Sequence, residues 1–201
     1  MSGHPYVDEQ VLKYREKYRM VACTYDLENE RIYIEGKRTH FIRQELGNCF
    51  SMLMPEQFEA IPKQMIQEMF PAGDSPQVVR ASADLAEMLT FNTLSQTPSD
   101  AAQETATLRI ELNKLFVQDV FYTKGMEQTD ETQIHWFDFK HFAMDGEEYV
   151  LMFAFALDDT RGFLGSFRCG FAAYDSWKPC VLAMLKSISF VKHTKEEMDN
   201  A

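Results

Sequence analysis

The sequence of 201 residues lacks the common signatures of catalysis and of nucleotide binding. It contains no G-x-x-x-x-G-K-[ST], no G-x-G-x-x-G, no G-x-S-x-G and no H-E-x-x-H. Phosphate-binding loops, hydrolase nucleophile elbows and zinc peptidase helices are therefore not indicated. These absences favour a protein that binds another molecule over one that transforms a substrate.

Long apolar runs and an excess of basic residues are also missing. The longest apolar run, Tyr149–Leu157, is far shorter than the ~20 residues that a membrane-spanning helix needs. The N-terminus shows no apolar segment typical of a signal peptide. Lys and Arg total 20 against 31 Asp and Glu, and the resulting net charge of -11 repels phosphate backbones and anionic lipid head groups. We therefore expect a cytoplasmic protein that binds neither nucleic acid nor membranes.

Cysteine is scarce, and its positions form no motif. Cys23, Cys49, Cys169 and Cys180 include no C-x-x-C pair of the kind found in zinc and redox sites. We expect reduced thiols packed in the core, because free cysteine is among the most buried residue types. The sequence leaves open whether Cys169 and Cys180 are close in space, and it indicates no cofactor.

His135, Asp138 and His141 are the best remaining candidates for a metal site. In a strand, His135 and His141 share a face and Asp138 points to the other, so the three cannot bind one metal without a bulge. We therefore predict structural histidines and assign no metal ligand. The paired Asp158 and Asp159 lie in a predicted hairpin loop, where aspartate is favoured for local backbone hydrogen bonding. No catalytic residue is assigned.

Three aromatic-rich segments follow one another between His135 and Phe190, and the last leads into a helix. In the middle segment, Tyr149–Leu157, both faces are apolar, which is typical of a strand covered on both sides. The predicted helices that could supply this cover are Glu56–Phe70, Ser99–Phe116 and Ser176–Ile188. We therefore expect an α+β layered sandwich, with a mainly antiparallel central sheet flanked by helices on both faces.

The predicted domain organisation is simple. Residues 1–30 are expected to form an N-terminal helical arm, residues 31–191 a single α+β sandwich domain, and residues 192–201 a flexible acidic tail. A chain of this length is within the usual range for one domain.

The order of the segments resembles a known superfamily. FSMLMPEQFEAIPKQMIQEMFP, PQVVRASADLAEMLTFNTLSQ, a long helix, IHWFDFKHFAMDGEEYVLMFAFAL and GSFRCGFAAYDSWKPCVLAMLKSISF are similar to the PsbP/Mog-like sandwich proteins (DcrB-like). More closely, they resemble an uncharacterised cytosolic branch from anaerobic gut bacteria. The resemblance covers roughly Arg31 to Phe190. It implies an α/β/α sandwich and a protein that binds other proteins or assists larger assemblies.

The twelve methionines suggest one binding surface. Met52, Met54, Met65 and Met69 could hold an apolar peptide or helix, because methionine adapts to varied shapes. The alternative is that these side chains fill gaps in the core. Two functions stay open: a non-enzymatic protein-interaction or chaperone-like module with an unidentified protein partner, and a small-molecule-binding protein or enzyme with a site assembled from scattered residues. A homo-oligomer formed through a sheet edge or through the apolar arm near Tyr6 and Val7 is a further possibility.

Overall fold

The computed structural model describes residues 11, 25–29, 31–71, 75–94, 101–144 and 146–191. The rest of the predicted arm and the predicted tail at 192–201 lie outside the described residues. The described strands are β1 (Ile32–Ile34), β2 (Lys37–Thr39), β3 (Phe41–Leu46), β4 (Phe50–Pro55), β5 (Glu59–Ala60), β6 (Val78–Ala81), β7 (Met88–Leu94), β8 (Val120–Gln128), β9 (Gln133–Ala143), β10 (Gly146–Ala156), β11 (Gly162–Gly170) and β12 (Ser189–Phe190). The described helices are α1 (Lys63–Met69), α2 (Ala101–Leu115) and α3 (Tyr174–Lys186), with a 3-10 turn at Phe171–Ala173.

The largest element is an antiparallel sheet of seven strands in the order β5-β6-β7-β11-β10-β9-β8. The three aromatic-rich segments of the sequence are β9, β10 and β11, which pair with their neighbours in the chain because short turns join them. A second sheet has the order β12-β4-β3, and β1 with β2 forms a separate hairpin. Strand β8 lies at one end of the large sheet.

Strand β10 is buried on both faces, as its composition indicates. On one face Tyr149, Leu151, Phe153 and Phe155 are fully buried in the main core, together with side chains of α3 and of the smaller sheet. On the opposite face Val150 and Met152 pack with a second cluster, which also contains Leu108 and Leu112 of α2 and Phe121, Phe137 and Phe139 of the sheet. The sheet therefore separates two apolar clusters.

The prediction of a central sheet flanked by helices on both faces is wrong. Strands hold 46% of the described residues and helices 25%, so the fold is mostly antiparallel sheet. Much of the cover on the main-core face is the three-stranded sheet, whose strand β4 is buried along its whole length. The ring of Phe50 contacts Phe91, Phe155 and Phe163 at centroid distances of 5.3, 5.3 and 4.9 Å. An apolar pattern on both faces of a strand demands cover, but it does not distinguish a covering helix from a covering sheet.

Helix α1 is shorter than the predicted helix Glu56–Phe70. It begins after Pro62, whose backbone is extended at φ -60° and ψ 144°, and Glu59–Ala60 pairs instead with β6. The proline ring disfavours helical geometry in the preceding residue, so the apolar stripe before it cannot continue a helix. None of the helices in the described part of the chain is long and apolar enough to cross a membrane.

Candidate functional site

The four methionines predicted as a partner-binding surface do not lie together. Met52 and Met54 are fully buried in β4, so in the folded chain they are core residues that no partner can contact. Met65 is 37% exposed on α1, and Met69 packs beside a small cluster built around Ile66. For Met52 and Met54, this placement agrees with the alternative interpretation, in which methionine fills gaps in the core.

His135, Asp138 and His141 have separate surroundings. Asp138 points into the main core, whereas Nδ1 of His141 lies 2.8 Å from Oδ2 of Asp119 and His135 faces the side of the sheet covered by α2. No group of three or more side chains that could hold a metal ion occurs among the residues described by the structure. The side chain of Asp158 is bound within its own loop, where it accepts hydrogen bonds from Thr160 and Arg161.

The densest polar cluster surrounds Asp138. Its Oδ2 lies 2.6 Å from Nζ of Lys178 on α3 and accepts a hydrogen bond from the Tyr149 hydroxyl at 3.1 Å. Its Oδ1 accepts two hydrogen bonds of 2.8 Å from the amide and the hydroxyl of Thr123. The same ammonium donates to Thr123 Oγ1 at 2.9 Å and lies 5.5 Å from the ring centroid of Trp136.

This cluster joins helix α3 to the sheet and does not form an open site. The side chains of Lys178 and Asp138 are 3% and 0% exposed, so a substrate cannot reach either charge. A buried pair is tolerated only when its remaining lone pairs and protons are satisfied, as they are here. The geometry therefore assigns the Asp138–Lys178 pair a structural role.

The candidate site is a groove on the other face of the sheet, between α2 and the β8–β9 edge. Its volume is about 430 Å³, which lies within the roughly 300–1,000 Å³ of typical ligand sites. The lining residues are Ala102, Thr105, Ala106, Arg109, Ile110, Lys124, Gly125, Met126, His135, Trp136 and Phe137. We refer to this surface as the α2–β8 groove.

The α2–β8 groove exists because α2 carries small side chains where it passes the edge of the sheet. Ala102 and Ala106 are four positions apart and therefore lie on one helix face. Leu108 and Leu112 instead pack on the sheet beyond the groove. Buried residues occur in the first half of α2 and packed leucines in its second half, so the groove is the space that the small side chains of α2 leave above β8 and β9.

The basic side chains of the groove have no acidic partner within the described residues. None of Arg109, Lys124 and His135 forms an ion pair within the part of the chain that the structure describes. Nε of Arg109 is buried and has no hydrogen-bond partner among the residues that the structure describes. Its guanidinium carbon lies 5.4 Å from the centroid of the Phe121 ring. By contrast, Lys114 near the end of α2 is 2.8 Å from Oε1 of Glu111.

Apolar side chains adjoin these charges at the surface. Ile110 is 55% exposed and Met126 is 45% exposed, and the two lie on facing walls of the groove. Among the groove residues, only His135 is a candidate site residue on the basis of the sequence. Arg109 and Lys124 carry no motif. The strand pairing sets Lys124 opposite Phe137 and Met126 opposite His135, and the crossing of α2 over these strands brings Arg109 to the same site.

Comparison with solved structures shows that the fold is PsbP-like. The solution structure of cyanobacterial PsbP (CyanoP) from Synechocystis sp. PCC 6803 matches with a TM-score of 0.54 and 13% identity, over 75% of this chain and 92% of that chain. At this identity the similarity establishes the fold alone.

Two further solved structures match more weakly. A protein from Bacteroides thetaiotaomicron VPI-5482 matches with a TM-score of 0.45 and 7% identity, over 72% of this chain and 46% of that chain. The Pseudomonas aeruginosa protein of unknown function PA94 matches with a TM-score of 0.40 and 8% identity, over 74% of this chain and 95% of that chain. No protein-family model matches the chain, and no curated protein matches it.

Proposed function

We propose that the chain is a non-enzymatic protein-interaction module, chaperone-like in that it holds a segment of another protein. The segment binds in the α2–β8 groove. The observation that carries this proposal is the presence of exposed Ile110 and Met126 beside Arg109, Lys124 and His135, which have no ion-pair partner among the described residues. Exposed apolar side chains next to unpaired charges are typical of a binding surface.

The groove favours a partner segment that carries both apolar and acidic side chains. The apolar part would cover Ile110 and Met126, and the acidic part would complement the cations beside them. The chain as a whole has a net charge of -11, but salt limits electrostatic effects to roughly 8–10 Å around each charge. The local charge of the groove therefore matters more to a bound segment than the total charge does.

A small-molecule-binding function is the second candidate, because the same volume of about 430 Å³ would hold a compact ligand. A catalytic role has less support. The most concentrated set of ionisable groups, around Asp138, is sealed in the core, and the groove holds no acid–base or nucleophile pair within hydrogen-bonding distance in the described structure.

Blocking the groove tests the proposal. We expect Ala106→Trp to abolish binding of fluorescein-labelled peptides with an apolar centre, GELEFEG and its amide counterpart GQLQFQG, because the indole would fill the groove. Thr107→Trp is the matched control, since Thr107 is an exposed residue of the same helix and does not line the groove. Fluorescence anisotropy titrations measure binding to the wild-type chain and to both variants.

Two results would refute the proposal: equal binding to the wild-type chain and Ala106→Trp, or no saturable binding of either peptide to the wild-type chain. A small molecule that co-purifies with the wild-type chain and not with Ala106→Trp, identified by native mass spectrometry, would support the second candidate instead.

We further propose that the chain belongs to the DcrB-like proteins of the PsbP/Mog-like superfamily, comes from an anaerobic gut bacterium and works in the cytoplasm. The order of segments between Arg31 and Phe190 supports the affiliation, and the few, motif-free cysteines support the location. The acidic composition also supports the absence of nucleic-acid and membrane partners. Self-association through the edge strand β8 remains part of this proposal.

A further inference from the structure

We infer that Arg109 selects the occupant of the α2–β8 groove by binding a carboxylate of the partner segment. The inference rests on the proposed function and adds the chemistry of recognition: an aspartate or glutamate side chain next to an apolar residue. It predicts that an acidic segment binds better than the same segment with its carboxylates replaced by amides, and that this preference depends on one residue.

Arg109 is incompletely hydrogen-bonded within the described part of the chain. Its Nε is buried without a hydrogen-bond partner, and burying an unpaired donor on an ionised group is unfavourable. A carboxylate that enters the groove can accept from the guanidinium edge, and such bonds are among the strongest in proteins because both groups are charged. Binding would therefore give the guanidinium an acceptor that it lacks among the described residues.

Three other cations among the described residues already have a carboxylate partner. Lys114, Arg161 and Lys186 lie 2.8, 2.7 and 3.1 Å from carboxylate oxygens of the protein itself. Nε of Arg80 is also buried and unpartnered, but Arg80 does not line the groove. Arg109 combines an unpaired donor with a cavity large enough for a ligand.

The guanidinium of Arg109 is also positioned before a ligand arrives. It lies over the ring of Phe121, which itself stacks on Phe139 at a centroid distance of 4.8 Å. Stacking on an aromatic face restricts the plane of an arginine, so less conformational entropy is lost when it binds a carboxylate. Lys124 and His135 line the same groove from the strands.

Two peptides and three proteins test this inference. The peptides are GELEFEG and GQLQFQG, and the proteins are the wild-type chain, Arg109→Gln and the control Lys114→Gln, which removes one charge from the same helix outside the groove. We expect the wild-type chain to bind the acidic peptide roughly tenfold more tightly, as one charge-assisted hydrogen bond can provide. We expect Arg109→Gln to bind both peptides equally, and Lys114→Gln to behave as the wild-type chain does.

A measurement on the wild-type chain makes the test independent of how well the variant folds. The Arg109 Nε–H resonance in a ¹H–¹⁵N spectrum should move downfield with GELEFEG and stay in place with GQLQFQG. An acidic preference that persists in Arg109→Gln, or an unmoved resonance at saturating GELEFEG, would overturn the inference. Equal binding of both peptides to the wild-type groove would overturn it while leaving the proposed function intact. Binding of neither peptide would overturn both.

Discussion

At the scale of single residues, Asp138 shows how a charged side chain is accommodated in an aromatic core. Each of its two carboxylate oxygens makes two polar contacts, and the partners are Thr123, Tyr149 and Lys178. Removing two charges from water costs several kcal/mol for each ion, and only good geometry offsets that cost. The loss of one partner would leave the other charge buried without compensation.

We therefore expect Asp138→Ala and Lys178→Met each to lower the free energy of unfolding by about 3–5 kcal/mol. The double variant Asp138→Leu/Lys178→Met should lose less than the sum of the single variants, because it leaves no unpaired charge. Urea denaturation followed by circular dichroism measures all three.

The exposed pair of Lys114 and Glu111, with side chains 63% and 55% exposed, provides the control for this experiment. Lys114→Gln should change the free energy of unfolding by less than about 1 kcal/mol, as is usual for surface ion pairs. If Asp138→Ala were as mild as this control, the structural role of the buried pair would be contradicted.

Single residues also show why the candidate site could not be predicted from the sequence. His135 stood out because histidine near an acid is a known metal pattern, yet its neighbours in the groove are Arg109 and Lys124. These three come from α2, β8 and β9, and nothing in the spacing of the sequence encodes their convergence. It depends on the strand register and on how α2 crosses the sheet.

At the scale of elements, the strands of the C-terminal half were the most predictable part. β9, β10 and β11 coincide with the three aromatic-rich segments. Because the turns between them are short, each strand pairs with the next one in the chain. Strand β4 was not recognised as cover for the large sheet. Its run FSMLMP is apolar on both faces, and that pattern is the same for a central strand and for a strand packed between a sheet and a helix.

Strand β11 makes a close approach that only glycine permits. A methyl group on Gly165 would lie 2.9 Å from the carbonyl oxygen of Thr90 and against the ring of Phe153. Both neighbours are in the core, where added volume costs typically about 1–3 kcal/mol. We expect Gly165→Ala to lower the free energy of unfolding by that amount, as measured by urea denaturation.

Gly170, at the end of the same strand, is the matched control. A methyl group there meets nothing within 4 Å, so Gly170→Ala should be neutral or raise the free energy of unfolding by up to about 1 kcal/mol. Equal losses for the two variants would show that β7, β10 and β11 are not packed as described.

At the scale of the whole molecule, the reactivity of the thiols indicates how readily the core opens. Cys169 and Cys180 are buried, 2% and 1% exposed, and both belong to the main core. Burial raises the pKa of the Cys169 thiol well above its usual range, which suppresses the reactive thiolate. Cys49 is a free thiol and is only partly buried.

We therefore expect iodoacetamide to alkylate Cys49 in the native chain long before Cys169 and Cys180. The two buried thiols should react only after unfolding in urea, and peptide mass spectrometry at timed intervals measures each rate. Alkylation of Cys169 at the rate of Cys49 under native conditions would mean that the main core opens readily.

The strand order of the large sheet has a consequence for synthesis on the ribosome. Strand β7 pairs with β11, and the hydroxyls of Thr90 and Ser166 that meet across this pair are 76 positions apart in the chain. Closing so long a loop is slow, and an unpaired apolar strand is prone to aggregation meanwhile. As the chain emerges from the ribosome, the edge of β7 that pairs with β11 stays exposed until β11 has been synthesised, so the nascent polypeptide presents an unpaired apolar strand edge during that time.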